Sequence, residues 1–205
     1  RLMSLIAMPC TVGLLVLAEP IMALLGGYSG EKLGIAAWLL ALLAPTVLIN
    51  SITTMTTAIM QAHNHMVLPV INTLIGGLAK LGVNFILVGN PDIAIVGAPI
   101  GTFVCFLVIM LLNLIAMRRV LDEPPKLLPR IWKTGVAALV MGVGAYVSYS
   151  LLGKAIASTA LCCLGAIAVA VVIYVLLVIA LKAITYEDCL LLPKGEKFAK
   201  ILRLQ

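Results

Sequence analysis

Six runs of apolar residues, each long enough to cross a lipid bilayer, constrain this chain more than any other feature. A helix needs roughly 20 residues to cross a hydrocarbon layer about 30 Å thick. Hydrophobic residues make up 63% of the 205 residues, which is more than one soluble core of this size could bury. The sequence therefore predicts an all-α polytopic membrane helix bundle of about six spans, near residues 2–25, 33–61, 67–89, 93–117, 131–153 and 159–181.

Lysine and arginine are distributed unevenly between the two sides of the predicted bundle. Eleven of the fourteen fall at the amino terminus, in residues 118–133 or in the carboxyl-terminal tail, against two on the opposite side. Cytoplasmic loops are enriched in these residues, so we expect both termini in the cytoplasm. The basic loop 118–133 separates four spans in residues 1–117 from two additional spans in 134–182. Residues 183–205 are predicted to form an amphipathic cytoplasmic tail.

A lysine lies near the middle of the third predicted span. Lys80 shares a helical stripe with Asn72, Gly76 and Asn84, at intervals of four residues. A charged side chain at the bilayer centre costs between about 3 and 17 kcal/mol, depending on the reference system. This stripe is therefore expected to face the protein interior.

Glu19 and Lys80 are predicted to lie at similar depths, roughly 20–24 Å from the cytoplasmic ends of their spans at about 1.5 Å per residue. One interpretation is a structural ion pair that closes the bundle. Another places Lys80 on a water-filled cavity, where it meets an anionic group, and a third has its side chain snorkel to the membrane surface. The Pro20 that follows Glu19 predicts a bend in the first span.

The second span carries another polar stripe, which begins with Asn50 and Thr54 and continues through Thr57 and Gln61. Two interpretations stay open for it. The side chains either form hydrogen bonds between helices or line the same cavity as Lys80.

Enzymes need acids, bases or nucleophiles that converge, and this chain has few titratable residues that could meet, so we do not expect an enzyme. The five cysteines lack metal-ligand spacing, His63 and His65 are interpreted as solvated residues of a turn, and no Walker-type glycine loop is present. The sequence therefore predicts neither a metal nor a cofactor. The net charge of +6 reflects topology and attraction to membrane lipids, and does not indicate nucleic-acid binding.

Motifs spread along the chain are similar, in combination, to those of one transporter family. They are Gln61-Ala62, then Pro69, Asn72, Gly76, Lys80 and Asn84, then Gly97-Ala98-Pro99-Ile100-Gly101-Thr102, Asn113-Leu114 and Leu192-Pro193-Lys194-Gly195. Together they resemble the C-terminal half of polysaccharide-biosynthesis/stage V sporulation protein B type transporters. That group belongs to the multidrug/oligosaccharidyl-lipid/polysaccharide exporter superfamily, alongside the lipid II flippases. The turn His63-Asn64-His65 departs from the pattern, which has a glycine soon after Gln-Ala.

The resemblance implies a protein of about fourteen helices, with two six-helix lobes around a central cavity and two added helices. This chain would supply the last six, and since it begins at Arg1 in apolar sequence, we expect a missing N-terminal lobe as its partner. The implied activity moves a lipid-linked saccharide or peptidoglycan-type precursor, with an anionic pyrophosphate head group, across the plasma membrane of a bacterium. The candidate cavity residues are Lys80, Asn84, Asn72, Asn50, Thr54 and Glu19.

Three other functions stay open at this point. An ion-coupled exporter of small amphipathic cations would depend on Glu19 more than on Lys80. A non-transporting membrane scaffold would dock a cytoplasmic partner on its basic tail, and its cavity would be too dry or too narrow for water. An integral-membrane enzyme is the least favoured, because the sequence shows no acid/base constellation.

Overall fold

The computed structural model describes residues 2–26, 30–89, 94–120, 128–155 and 159–180. These residues form seven α-helices: α1 Leu2–Val16, α2 Ala18–Gly26, α3 Glu31–Ala62, α4 Val67–Val88, α5 Ala94–Val120, α6 Leu128–Ala155 and α7 Thr159–Ala180. The predicted all-α membrane bundle is confirmed, since five of these helices are long and apolar enough to span a membrane. The predicted tail at residues 183–205 lies outside the described residues.

The first predicted span is not one straight helix. Its two halves, α1 and α2, meet at Leu17 with a bend of 79°. Pro20 explains this position, because a proline has no N–H for the carbonyl four residues earlier, here that of Val16, and its ring clashes with that carbonyl. The bend that the sequence predicted near Pro20 is therefore present, and it divides the first predicted span into two helices.

Two other prolines do not interrupt their helices. Pro45 in α3 and Pro99 in α5 both lie inside continuous helices. The helices α5 and α6 also extend into the segment predicted as the basic loop, to Val120 on one side and from Leu128 on the other.

The helices pack in a row in the order α4, α5, α3, α1, α6 and α7. α5 packs against both α4 and α3, and α1 packs against both α3 and α6. α7 packs against α6, while the short α2 lies against α3 and α7. The last two helices therefore contact the α1–α2 pair directly, and the cleft described below lies at the other end of the row.

Small residues hold α6 and α7 together. The buried cluster contains Ala137, Ala138 and Ala145 of α6 with Ala166 and Ala170 of α7. Small side chains let two helix backbones approach closely, which is the main source of helix association where lipid and protein are equally apolar.

Candidate functional site

The candidate site is a cleft between α3 and α4. A short turn over residues 63–66, in which Asn64 has a φ of 63°, connects the two helices. They nevertheless make few contacts with each other, because α5 lies against both of them on one side. On the side away from α5 the two helices enclose an open cleft.

The part of the cleft nearest the turn, which we call the groove, has a volume of about 650 Å³. This volume falls within the range of about 300–1,000 Å³ that small-molecule sites occupy. Its polar side chains lie toward the turn, and its far end is apolar. The lining residues are Thr57, Gln61, Pro69, Val70, Thr73, Leu74, Gly77, Leu78 and Leu81.

The face of α3 that carries the two lining residues Thr57 and Gln61 is polar over several turns. Asn50 and Thr54 are exposed and share a helix face with Thr57 and Gln61 of the groove, since the four residues are spaced by four, three and four. The Thr54 hydroxyl donates to the Asn50 carbonyl at 2.9 Å, which leaves the hydroxyl oxygen able to accept a bond from a ligand. Exposed polar side chains in the middle of a span indicate contact with water or protein in preference to lipid.

Lys80 is half-buried on the α4 wall. At 100° per residue its direction falls between Gly76, which packs on Ile109 and Cys105 of α5, and Gly77, which lines the groove. At about 1.5 Å per residue, Lys80 lies roughly 20 Å from the turn along α4, and Asn50 roughly 18 Å along α3. The two side chains thus lie at similar depths on consecutive helices, beyond the residues that line the groove.

Asn72 occupies the interface between α4 and α5. It is buried, and its Nδ2 donates to Oδ1 of Asn113 at 2.8 Å. The fully buried Asn113 in turn donates from Nδ2 to the hydroxyls of Thr57 at 3.0 Å and Thr56 at 3.3 Å. This network ties α3, α4 and α5 together, and through Thr57 it reaches the groove wall.

Asn84 also faces α5, where its side chain contacts Gly101 so closely that any larger residue at Gly101 would overlap it. Its Oδ1 is buried and has no hydrogen-bond partner in the described part of the chain. Buried side-chain oxygens are nearly always bonded, so this atom is available to a polar group from outside the described residues.

Glu19 lies in α2 and not in the α3–α4 hairpin. It is exposed in the first turn of α2 and within electrostatic range of Tyr149 of α6. α2 packs on α3 and α7, whereas α4 packs mainly on α5. Among the residues described, no ion pair joins Glu19 to Lys80, so the structure does not bring these two candidates together.

The structure thus assigns the candidate residues to three places. Asn72 and Asn84 lie at the interface with α5, and Glu19 lies in α2. Asn50 and Thr54 are exposed on α3 and Lys80 is half-buried on α4, but none of these three is among the residues that line the groove. The candidate set omitted Asn113 and Thr73. A single asparagine in an apolar span was the available signal for Asn113, while nothing in the spacing distinguished Thr73 from other helical threonines.

Five helices able to span a membrane and a cleft with one polar wall define a multi-pass helical membrane protein. No known protein family's model, no curated protein and no solved structure matches the chain.

Proposed function

We propose that this chain is part of a flippase that moves a lipid-linked saccharide or peptidoglycan-type precursor across the plasma membrane of a bacterium by alternating access. One geometric relationship carries the proposal: counted along the helices, Lys80 and Asn50 lie at similar depths on the two helices that flank the groove. The motif resemblance also supports it, because the stripe that contains Lys80 belongs to the motifs that resemble those of the transporter family.

The chemistry of the cleft suits an anionic, hydroxyl-rich head group. The Lys80 ammonium is a compact charge with three donors, which can bind phosphate oxygens as a point charge. On α3, the Asn50 amide can donate to and accept from sugar hydroxyls, and the Thr54 hydroxyl oxygen can accept a hydrogen bond from one. No acidic residue occurs between Glu31 and Asp92, so within this hairpin nothing competes with an anionic ligand for Lys80.

The proposed orientation places both termini in the cytoplasm, on the basis of the positive-inside distribution. The turn between α3 and α4 then lies on the cytoplasmic side. Asn50 and Lys80 lie roughly 18–20 Å above it, near the middle of the membrane, where a transporter with alternating access has its binding site. The N-terminal lobe implied by the resemblance would form the opposite wall.

The test replaces Lys80 in the full-length transporter reconstituted in vesicles, with the transfer of a lipid-linked saccharide between leaflets as the readout. We expect Lys80→Ala to reduce flipping at least tenfold, and Lys80→Arg to retain part of the rate because it keeps the charge. Lys32→Ala is the matched control, since Lys32 is exposed in the first turn of α3.

Unchanged flipping in Lys80→Ala would show that the lysine does not bind substrate. Glu19→Gln tests the ion-coupled exporter in the same vesicles. If transport depends on Glu19 and not on Lys80, the ion-coupled function replaces the one proposed here.

A further inference from the structure

We propose that the groove binds one acidic phospholipid of the leaflet next to the α3–α4 turn, at a site separate from the head-group site at Lys80. One acyl chain would lie along α4, and the phosphate would lie at the turn. This site would exist whether or not the chain takes part in flipping.

The apolar half of the groove has the length and access that an acyl chain needs. The lining residues run from Pro69 to Leu81 along α4, which is about 18 Å at 1.5 Å per residue. One leaflet contributes about half of the roughly 30 Å hydrocarbon layer, or about 15 Å. Val70, Leu74, Leu78 and Leu81 are each between 59% and 66% exposed, so a lipid can enter the groove sideways from the membrane.

The polar half of the groove lies where the phosphate of that lipid would lie. Thr57 and Thr73 have their hydroxyls engaged, the first with Asn113 and the second with the Pro69 carbonyl at 2.8 Å. The exposed side chain of Gln61 has no hydrogen-bond partner in the described part of the chain. Its amide N–H groups are therefore available to a phosphate oxygen.

Two histidines follow Gln61 in the turn. His63 donates from Nδ1 to the Ile59 carbonyl at 2.9 Å, since a carbonyl can only accept. When the ring carries both protons, Nε2 of His63 can donate to a phosphate oxygen, and so can the exposed ring of His65. Both imidazoles lie within four residues of Gln61, next to the groove's polar end.

Charge complementarity selects an acidic lipid over a neutral one. Between Lys32 and Asp92 the only ionisable side chains are His63, His65 and Lys80, so the hairpin is neutral or positive at every pH. In the proposed orientation the turn faces the cytoplasmic leaflet, whose surface carries anionic lipid. A soluble phosphate would use the turn alone and leave the apolar half of the groove without an occupant.

The glycines of α4 offer a matched pair of variants. Gly77 lines the groove, and a Cβ at this position meets no atom within 4 Å. Gly77→Leu therefore has room for its Cβ and places its side chain in the groove. Gly82 is exposed on the same helix and is equally unobstructed, but lies outside the groove. Both substitutions raise helix propensity by the same amount, so Gly82→Leu is the control.

The experiment incorporates the chain into nanodiscs of phosphatidylcholine with a photoactivatable phosphatidylglycerol, and maps the label by peptide mass spectrometry. In the wild-type chain we expect label on α4 that excess unlabelled phosphatidylglycerol removes at least fivefold better than excess phosphatidylcholine. Gly77→Leu should lose at least four-fifths of the label, and Gly82→Leu should keep it. His63→Gln combined with His65→Gln should weaken the preference for phosphatidylglycerol.

Three results would overturn the proposal. Equal competition by phosphatidylcholine would mean ordinary bilayer contact, and undiminished label in folded Gly77→Leu would mean that the lipid does not use the groove. Competition by soluble glycerol phosphate alone would mean a phosphate site without a lipid. If Gly77→Leu fails to fold, the competition in the wild-type chain decides the question by itself.

Discussion

The hydroxyl of Tyr174 in α7 donates to the backbone carbonyl of Leu5 in α1 at 2.7 Å. This carbonyl is the one that Pro9 leaves without an intrahelical partner, because residue 9 would otherwise donate its N–H to residue 5. In lipid an unsatisfied carbonyl costs several kcal/mol. The Tyr174 side chain, 169 residues away in the sequence, thus satisfies the carbonyl that Pro9 leaves without a backbone partner in α1.

Tyr174→Phe should destabilise the chain by about 1–3 kcal/mol, because it leaves the Leu5 carbonyl without a hydrogen-bond partner. In a Pro9→Ala background the cost should fall, because the substituted alanine then supplies the N–H that bonds the Leu5 carbonyl. Unfolding in mixed detergent micelles measures both values. The same loss in the two backgrounds would show that Tyr174 does not serve the carbonyl that Pro9 frees.

Asn72 and Asn113 should show a measurable coupling energy. A double-mutant cycle of Asn72→Ala and Asn113→Ala is expected to give about 0.6–1.7 kcal/mol, the range of hydrogen bonds between membrane helices. Asn113→Ala alone should cost more than Asn72→Ala alone, because Asn113 also bonds Thr56 and Thr57. A coupling energy of zero would contradict the network.

The adjacent glycines Gly76 and Gly77 should respond in opposite ways to alanine. A Cβ at Gly76 would overlap the side chain of Ile109, which is buried and cannot move away, and would lie 3.1 Å from the Cys105 carbonyl. Gly76→Ala should therefore destabilise the chain by about 1–3 kcal/mol, as overpacking does. Gly77→Ala has open space and should be neutral or slightly stabilising. If both substitutions change the unfolding free energy by the same amount, Gly76 does not lie at the contact between α4 and α5.

The fold class could be predicted from the sequence because membrane spans are local. The length of each apolar run predicts a helix without reference to the rest of the chain. A proline is a weaker signal, since Pro20 lies beside a break whereas Pro45 and Pro99 lie inside continuous helices. The helix that packs against each face, by contrast, is determined by residues far away in the sequence. A stripe at intervals of four residues turns by about 40° at each step, so the spacing alone did not show that Asn72, Gly76 and Asn84 all lie against α5.

The partners of Asn113 show the same limit. The residue was visible as a lone asparagine in an apolar span, but its bonds join it to residues 41, 56 and 57 positions away. Only the packing of α5 between α3 and α4 brings them together. The cleft itself depends on that packing as well, because nothing in the α3–α4 hairpin requires its two helices to separate.

The account depends most on the cleft being filled with water at the depth of Lys80, and cysteine accessibility measures this directly. In a chain whose native cysteines are replaced, a membrane-impermeant thiol reagent should label Asn50→Cys and Thr54→Cys rapidly. Gly82→Cys is the control, since Gly82 is exposed on α4 outside the groove, at a depth close to that of Lys80, and it should stay unlabelled. Equal protection of all three positions from the reagent would contradict a hydrated cleft and the transport function proposed for it.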